Sequence, residues 1–107
     1  MNITTAYASG RLTIGLVGEL DHHAARETMQ SITELLDAYL PRECALDLAG
    51  LRFMDSSGIA LIVRLNRKMR DLGGRVWIEN PGTQTRRVLE AAGIERLVQV
   101  AAIGGTT

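Results

Sequence analysis

The sequence predicts an α/β fold, a mixed β-sheet whose helices come from parallel crossover units. Three observations carry that prediction. Short β-type runs alternate with amphipathic helical patterns from the second strand onward, which calls for parallel pairing through right-handed crossovers. The run Cys44-Ala45-Leu46-Asp47-Leu48 is nearly continuous in apolar character, as a strand inside a sheet should be. The two β-type runs at the start are separated only by Ser9-Gly10-Arg11, so the first strand is added by a hairpin.

Taken in order, Ile3 to Ala8 and Leu12 to Val17 are the hairpin strands. In the second, Leu12, Ile14 and Leu16 alternate with Thr13, Gly15 and Val17, which gives one buried face. From His22 to Tyr39, Ala25, Thr28/Met29, Ile32, Leu35/Leu36 and Tyr39 recur at helical spacing. Asp21 is the expected N-cap of that helix, and Pro41 stops it. Cys44 to Leu48 is the third strand, and Ala49 to Phe53 reads as a connecting loop with two apolar anchors.

Met54-Asp55-Ser56-Ser57-Gly58 then makes a small polar step into a helix striped by Leu61/Ile62, Leu65, Met69 and Leu72. Gly73-Gly74 supplies a left-handed stop. Arg75 to Glu79 is the fourth strand. Asn80-Pro81 reads as an N-cap followed by proline at the first helical position, and Gly93 closes the helix that carries Val88, Leu89 and Ala92. Leu97 to Val100 is the last strand, and Ala101 to Thr107 is expected to fray.

At 107 residues the chain has the length of one domain, 1–107, with 46% hydrophobic and 22% charged residues. Twelve basic residues balance twelve acidic ones, so no bulk electrostatic pull toward nucleic acid or anionic lipid is expected. The lone Cys44 sits in an apolar run and suits a buried thiol. No basic leader with an apolar block opens the chain, and the longest apolar run, Ile59 to Val63, is too short to span a bilayer. A soluble cytoplasmic protein is expected.

In a sheet of this kind the loops leaving the carboxyl ends of the strands gather on one edge, where sites usually lie. Three loops qualify: Glu19 to His23, Asp55 to Gly58, and Asn80 to Gly82. The simplest reading of Ser57 is an N-cap whose hydroxyl satisfies a free backbone N–H. The functional reading is a phosphoacceptor, because a helix N-terminus tolerates added negative charge. Asp55 is then either a second cap or a group that orients the hydroxyl. Ser57, His22 or His23, and Asp21 are also the residue types of a nucleophilic triad, although no G-x-S-x-G elbow surrounds either serine. A metal site from Asp21, His22 and His23 lacks further ligands, and no G-x-x-x-x-G-K-[ST] loop supports an ATPase or kinase. Arg64, Arg67, Lys68 and Arg70 are most simply a solvated helix face. Ile59 and Val63 lie beside the core stripe, where they serve either the core or a partner.

Gly18-Glu19-Leu20-Asp21-His22-His23 and Phe53-Met54-Asp55-Ser56-Ser57-Gly58 together resemble the signatures of anti-sigma factor antagonists, of the sporulation stage II AA type within the STAS domain family. The resemblance covers nearly the whole chain, including Val88-Leu89-Glu90 to Gly93-Ile94. It implies a non-enzymatic protein whose unphosphorylated form binds an anti-sigma factor that is also a serine kinase, and so frees the sigma factor. Phosphorylation of Ser57 would release the complex, and a metal-dependent serine phosphatase would restore it. The partner-binding residues the resemblance implies are Ser57 with Asp55, Ser56 and Gly58 around it and Asp21 as the neighbouring acidic contact; Ile59, from its place beside the core stripe, is added as an apolar contact, and no cofactor is implied. One departure is Ala60, where close relatives often carry a second glycine. Two other roles stand beside this one: a STAS scaffold subunit of a larger signalling or lipid-transport complex, and a Ser57/His/Asp21 hydrolase.

Overall fold

The structure, a computed structural model, describes residues 1–101. Its elements are β1 (Asn2–Ala8), β2 (Arg11–Leu20), α1 (His22–Tyr39), β3 (Glu43–Asp47), β4 (Leu51–Met54), α2 (Ser56–Asp71), β5 (Arg75–Glu79), α3 (Thr83–Ala92), a 3-10 turn (Ile94–Arg96) and β6 (Gln99–Ala101). The mixed sheet has the order β1-β2-β3-β5-β6, with β4 paired to β2. As the alternation of patterns predicts, β1 is antiparallel to β2 and every other pairing is parallel.

The period-2 pattern of β2 places Leu12, Ile14 and Leu16 wholly inside, against Ile32 and Leu36 of α1 and Leu61, Leu65 and Met69 of α2 in one core cluster. The partly apolar opposite positions, Thr13 and Val17, stay at the surface or half-buried. Tyr39, placed by its spacing on the inner stripe of α1, is instead 41% exposed and stacks on Tyr7 of β1 with ring centroids 4.9 Å apart. The helix ends just before Leu40, which turns left-handed (φ 46°) immediately ahead of the buried Pro41. Gly73 (φ 78°) ends α2 as its glycine pair predicts, and the Gly74 N–H returns to the Met69 carbonyl at 2.8 Å.

Three boundaries differ from the sequence reading. Leu51 to Met54, expected as loop, is the strand β4, parallel to the far end of β2. Only its two ends are buried, with Arg52 and Phe53 exposed between them, so it lacks the alternation by which strands are recognised. β2 reaches β4 by running on past Val17: Gly18 (φ 124°) makes a bulge, its N–H donates to the Gly50 carbonyl at 3.0 Å, and pairing resumes at Glu19. The expected Asn80-Pro81 helix start moves on to Gly82, because Asn80 is itself left-handed (φ 55°) and its N–H pairs with the Ala101 carbonyl at 2.8 Å. That bond also makes Ala101 part of β6, which begins at Gln99 and not at Leu97; the remainder of the expected frayed tail lies outside the described residues.

Candidate functional site at the ends of β2 and β4

β2 and β4 finish in register, Leu20 opposite Met54, and each hands over to a helix through an aspartate. The Asp55 N–H donates to the Leu20 carbonyl at 3.3 Å, which ties the two exits together. Because neighbouring strands are about 4.8 Å apart, the matched register brings Asp21 and Asp55, and with them two helix N-termini, onto one edge. The shared edge is the one the sequence predicts for these two loops; the matched register that sets the aspartates side by side comes from β4, which the sequence reading gives as a loop.

Both aspartates act as caps. Asp21 Oδ1 accepts from the Ala24 N–H at 3.0 Å, and Asp55 Oδ1 accepts from the Ser57 N–H at 2.8 Å. The bond from Ala24 holds the Asp21 carboxyl below its ordinary range against the opposing effect of partial burial, with smaller help from His23 and His22. The expectation that Ser57 is the cap is therefore corrected: Asp55 takes that position, because its side chain reaches forward to the Ser57 N–H in the first turn. Ser57 becomes the second residue of α2, with a hydroxyl not needed for capping.

Ser56 is exposed and Ser57 half-buried. Gly58 is buried, and its N–H donates to the Asp55 carbonyl at 2.9 Å. A Cβ at Gly58 would run into the side chain of Met54 and stand 3.2 Å from Leu20 Cδ2, so only glycine lets α2 approach the two strand ends this closely. Ile59 is half-buried and packs on the core. Ala60, the departure from the resembling sequences, is exposed, and its methyl adds nothing to the buried side of the α2 start.

A residue without a sequence signal completes the site. Gln84, near the start of α3, accepts from the Met54 N–H through Oε1 and donates to the Met54 carbonyl through Nε2, both at 2.9 Å. Its amide thus pairs with a β4 peptide as a neighbouring strand would. The only hint in the sequence is a polar amide in a first helical turn, which is common and points nowhere.

The triad is not assembled. The Asp21 carboxylate is committed to the helix start, the exposed rings of His22 and His23 face each other at a tilt of 37° with centroids 4.0 Å apart, and among the described residues no hydrogen bond joins the Ser57 hydroxyl to either imidazole. Asp21 and His23 line a polar groove of about 540 Å³ with Glu19, Glu27 and Arg52, whereas Ser56 lines a different, apolar groove beside α3. Among the described residues no group of three or more His, Cys, Asp or Glu could hold a metal ion, and no helix is long and apolar enough to cross a membrane.

Comparison with known proteins gives this geometry its context. The STAS domain family model matches residues 2–103. An anti-sigma F factor antagonist of Lysinibacillus sphaericus is 34% identical over 83 residues, 78% of this chain and 71% of the relative. Among solved structures, the anti-sigma factor antagonist SpoIIAA in its unphosphorylated form is similar at 27% identity and a TM-score of 0.79, covering 94% of this chain and 88% of that one. The Bacillus cell-fate determinant SpoIIAA in its phosphorylated form is similar at 27% identity and a TM-score of 0.70, covering 94% and 91%. The chain belongs to the STAS domain family, among the anti-sigma factor antagonists.

Proposed function

We propose that this chain is a non-enzymatic binding module that, unphosphorylated, captures an anti-sigma factor with serine-kinase activity and so frees the sigma factor. Phosphorylation of Ser57 by that kinase ends the complex, and a metal-dependent serine phosphatase resets it. The observation that carries the reading is the position of Ser57: its backbone is held by Asp55 in the first turn of α2, while its hydroxyl carries no capping duty. The similarity to an antagonist solved in both unphosphorylated and phosphorylated forms supports it.

The physical basis is local. A phosphoserine adds about −1.5 to −2 charges. Here that charge would join the carboxylates of Asp55 and Asp21 on one edge, and the Ser57 N–H that would otherwise attract it is already bonded to Asp55. A partner surface that is apolar or acidic there meets repulsion and desolvation. A loss of about 3 kcal/mol weakens binding more than a hundredfold, so one group suffices without rearranging the fold. Ser56 and Ile59 form the immediate contact surface, and the buried Gly58 sets how closely the start of α2 approaches the strand ends beneath it.

The test is to incubate the protein with its anti-sigma factor kinase and ATP and map the product by mass spectrometry. Phosphate on Ser57 is expected. Phosphate only on Ser56, or on no residue, overturns the assignment.

A further inference from the structure

From the charge and shape of one flank, we propose that the groove between α2 and α3 is a docking site for an acidic amphipathic helix of the partner protein. The groove begins at the switch. Ser56 and Ile59 form one wall and Val88, Ala91 and Ala92 the other, around a volume of about 490 Å³. One helical turn further along α2 a second hollow continues the same flank, lined by Val63, Asn66 and Leu97, the last 41% exposed. The 16 residues of α2 run about 24 Å at about 1.5 Å per residue, the length of a four-turn partner helix.

The rim is cationic. Arg87 borders the first hollow, and Arg67 and Arg70 the second, with Asp71 the acidic residue among their linings. Among the described residues none of these three arginines has an ion-pair partner, whereas Arg11 and Arg75 share Glu43 and Lys68 takes Asp37. Zero net charge hides this asymmetry: α2 carries Arg64, Arg67, Lys68 and Arg70 against Asp71, while α1 carries Glu27, Glu34 and Asp37 against Arg26. An apolar floor between unpaired cations fits a helix with a leucine-type stripe flanked by Asp or Glu. A flat anionic bilayer fits a concave groove less well, and the absence of aromatic side chains from both linings disfavours single-stranded nucleic acid.

The inference deepens the switch in one respect and rests there on the reading of Ser57. An acidic helix in this groove ends at Ser56, the residue before Ser57, so a phosphate on Ser57 repels the occupant across one residue.

The test needs no identified partner. A stapled helical peptide of four turns, with a leucine stripe and glutamate flanks, is titrated into the full chain and followed by amide chemical shifts; a lysine-flanked peptide is the control. The glutamate peptide should shift Ile59, Val63, Val88 and Ala91 and bind at least about tenfold tighter than the control. The triple variant Arg67→Glu, Arg70→Glu, Arg87→Glu should reverse the preference. Equal affinities, no binding at millimolar peptide, shifts confined to another face, or stronger groove shifts with anionic vesicles would each overturn the docking site. Ser57→Asp should weaken the glutamate peptide severalfold; unchanged affinity removes the link to the switch. A groove that binds in a protein that no kinase modifies at Ser57 would overturn the function proposed above and leave the docking site standing.

Discussion

The Ser57 N–H donates to Asp55 at 2.8 Å, so of the two roles the sequence leaves open for this carboxylate, cap or orienter of a hydroxyl, it takes the cap. The sequence makes the residue types and their order plain; which of three neighbouring polar residues caps the helix depends on the backbone, since Asp, Ser and Asn cap about equally well. Gly58 is the sharper case. In a helix, alanine is favoured over glycine by about 1 kcal/mol, yet a Cβ here strikes the side chain of the fully buried Met54, which must shift within the core. Overpacking of that kind costs about 1–3 kcal/mol and should outweigh the propensity gain. Gly58→Ala is expected to lower stability by about 1 kcal/mol in urea unfolding; a stabilised variant would mean that α2 can slide away from the strand ends. Cys44 gives a pH dependence. Burial pushes its thiol from 9.0 up to about 12, so between those values the unfolded chain loses a proton that the folded chain keeps. Stability should therefore fall as pH rises from about 9 toward about 12, and Cys44→Ala should remove that part of the decline in urea titrations. An unchanged alkaline slope would assign it elsewhere.

Among the elements, α1, α2, β1 to β3 and β5 are legible because each is long or regular enough to show its period. β4 is not, because four residues with exposed Arg52 and Phe53 in the middle carry no alternation. The loss matters, since β4 is what sets Asp55 beside Asp21. A strand this short is also held by something outside the sheet: the Gln84 amide closes two hydrogen bonds on Met54, and α3 thereby fixes the peptide that precedes the start of α2. Removing both bonds should open β4 locally without unfolding the core, because Leu51 and Met54 remain buried in the main cluster. Gln84→Ala is expected to speed amide exchange at Met54 at least about tenfold while exchange in β2 and β3 stays unchanged. Equal exchange in both proteins would show that pairing with β2 alone holds the strand. Gln84→Glu should restore protection only in part, since a carboxylate still accepts from the Met54 N–H but cannot donate to the Met54 carbonyl.

At the scale of the molecule, two carboxylate-capped helices leave one sheet edge from strands that share a register, and the rest of the chain keeps that edge rigid. Leu20 and Met54 lie in the same cluster as Leu16, Leu61 and Leu65, so the ends of the strands are fastened to the core through their own side chains. Charge introduced at Ser57 therefore has little freedom to be relieved by internal movement, and its effect falls on whatever contacts the edge. Ser57→Asp tests this without a kinase. Aspartate carries roughly half of the phosphate charge, is tolerated in a first helical turn, and replaces a side chain with no capping bond to lose. The variant should keep its circular dichroism spectrum and melt within about 4 °C of the parent, since the positive end of the α2 dipole favours the added charge and offsets the cost of its half-buried position. Its affinity for the anti-sigma factor kinase should fall by about tenfold or more, measured by calorimetry, and the loss should shrink at high salt as screening shortens the reach of the charge. Lost binding with a lowered melting temperature would make the switch conformational, and unchanged binding would exclude an electrostatic one.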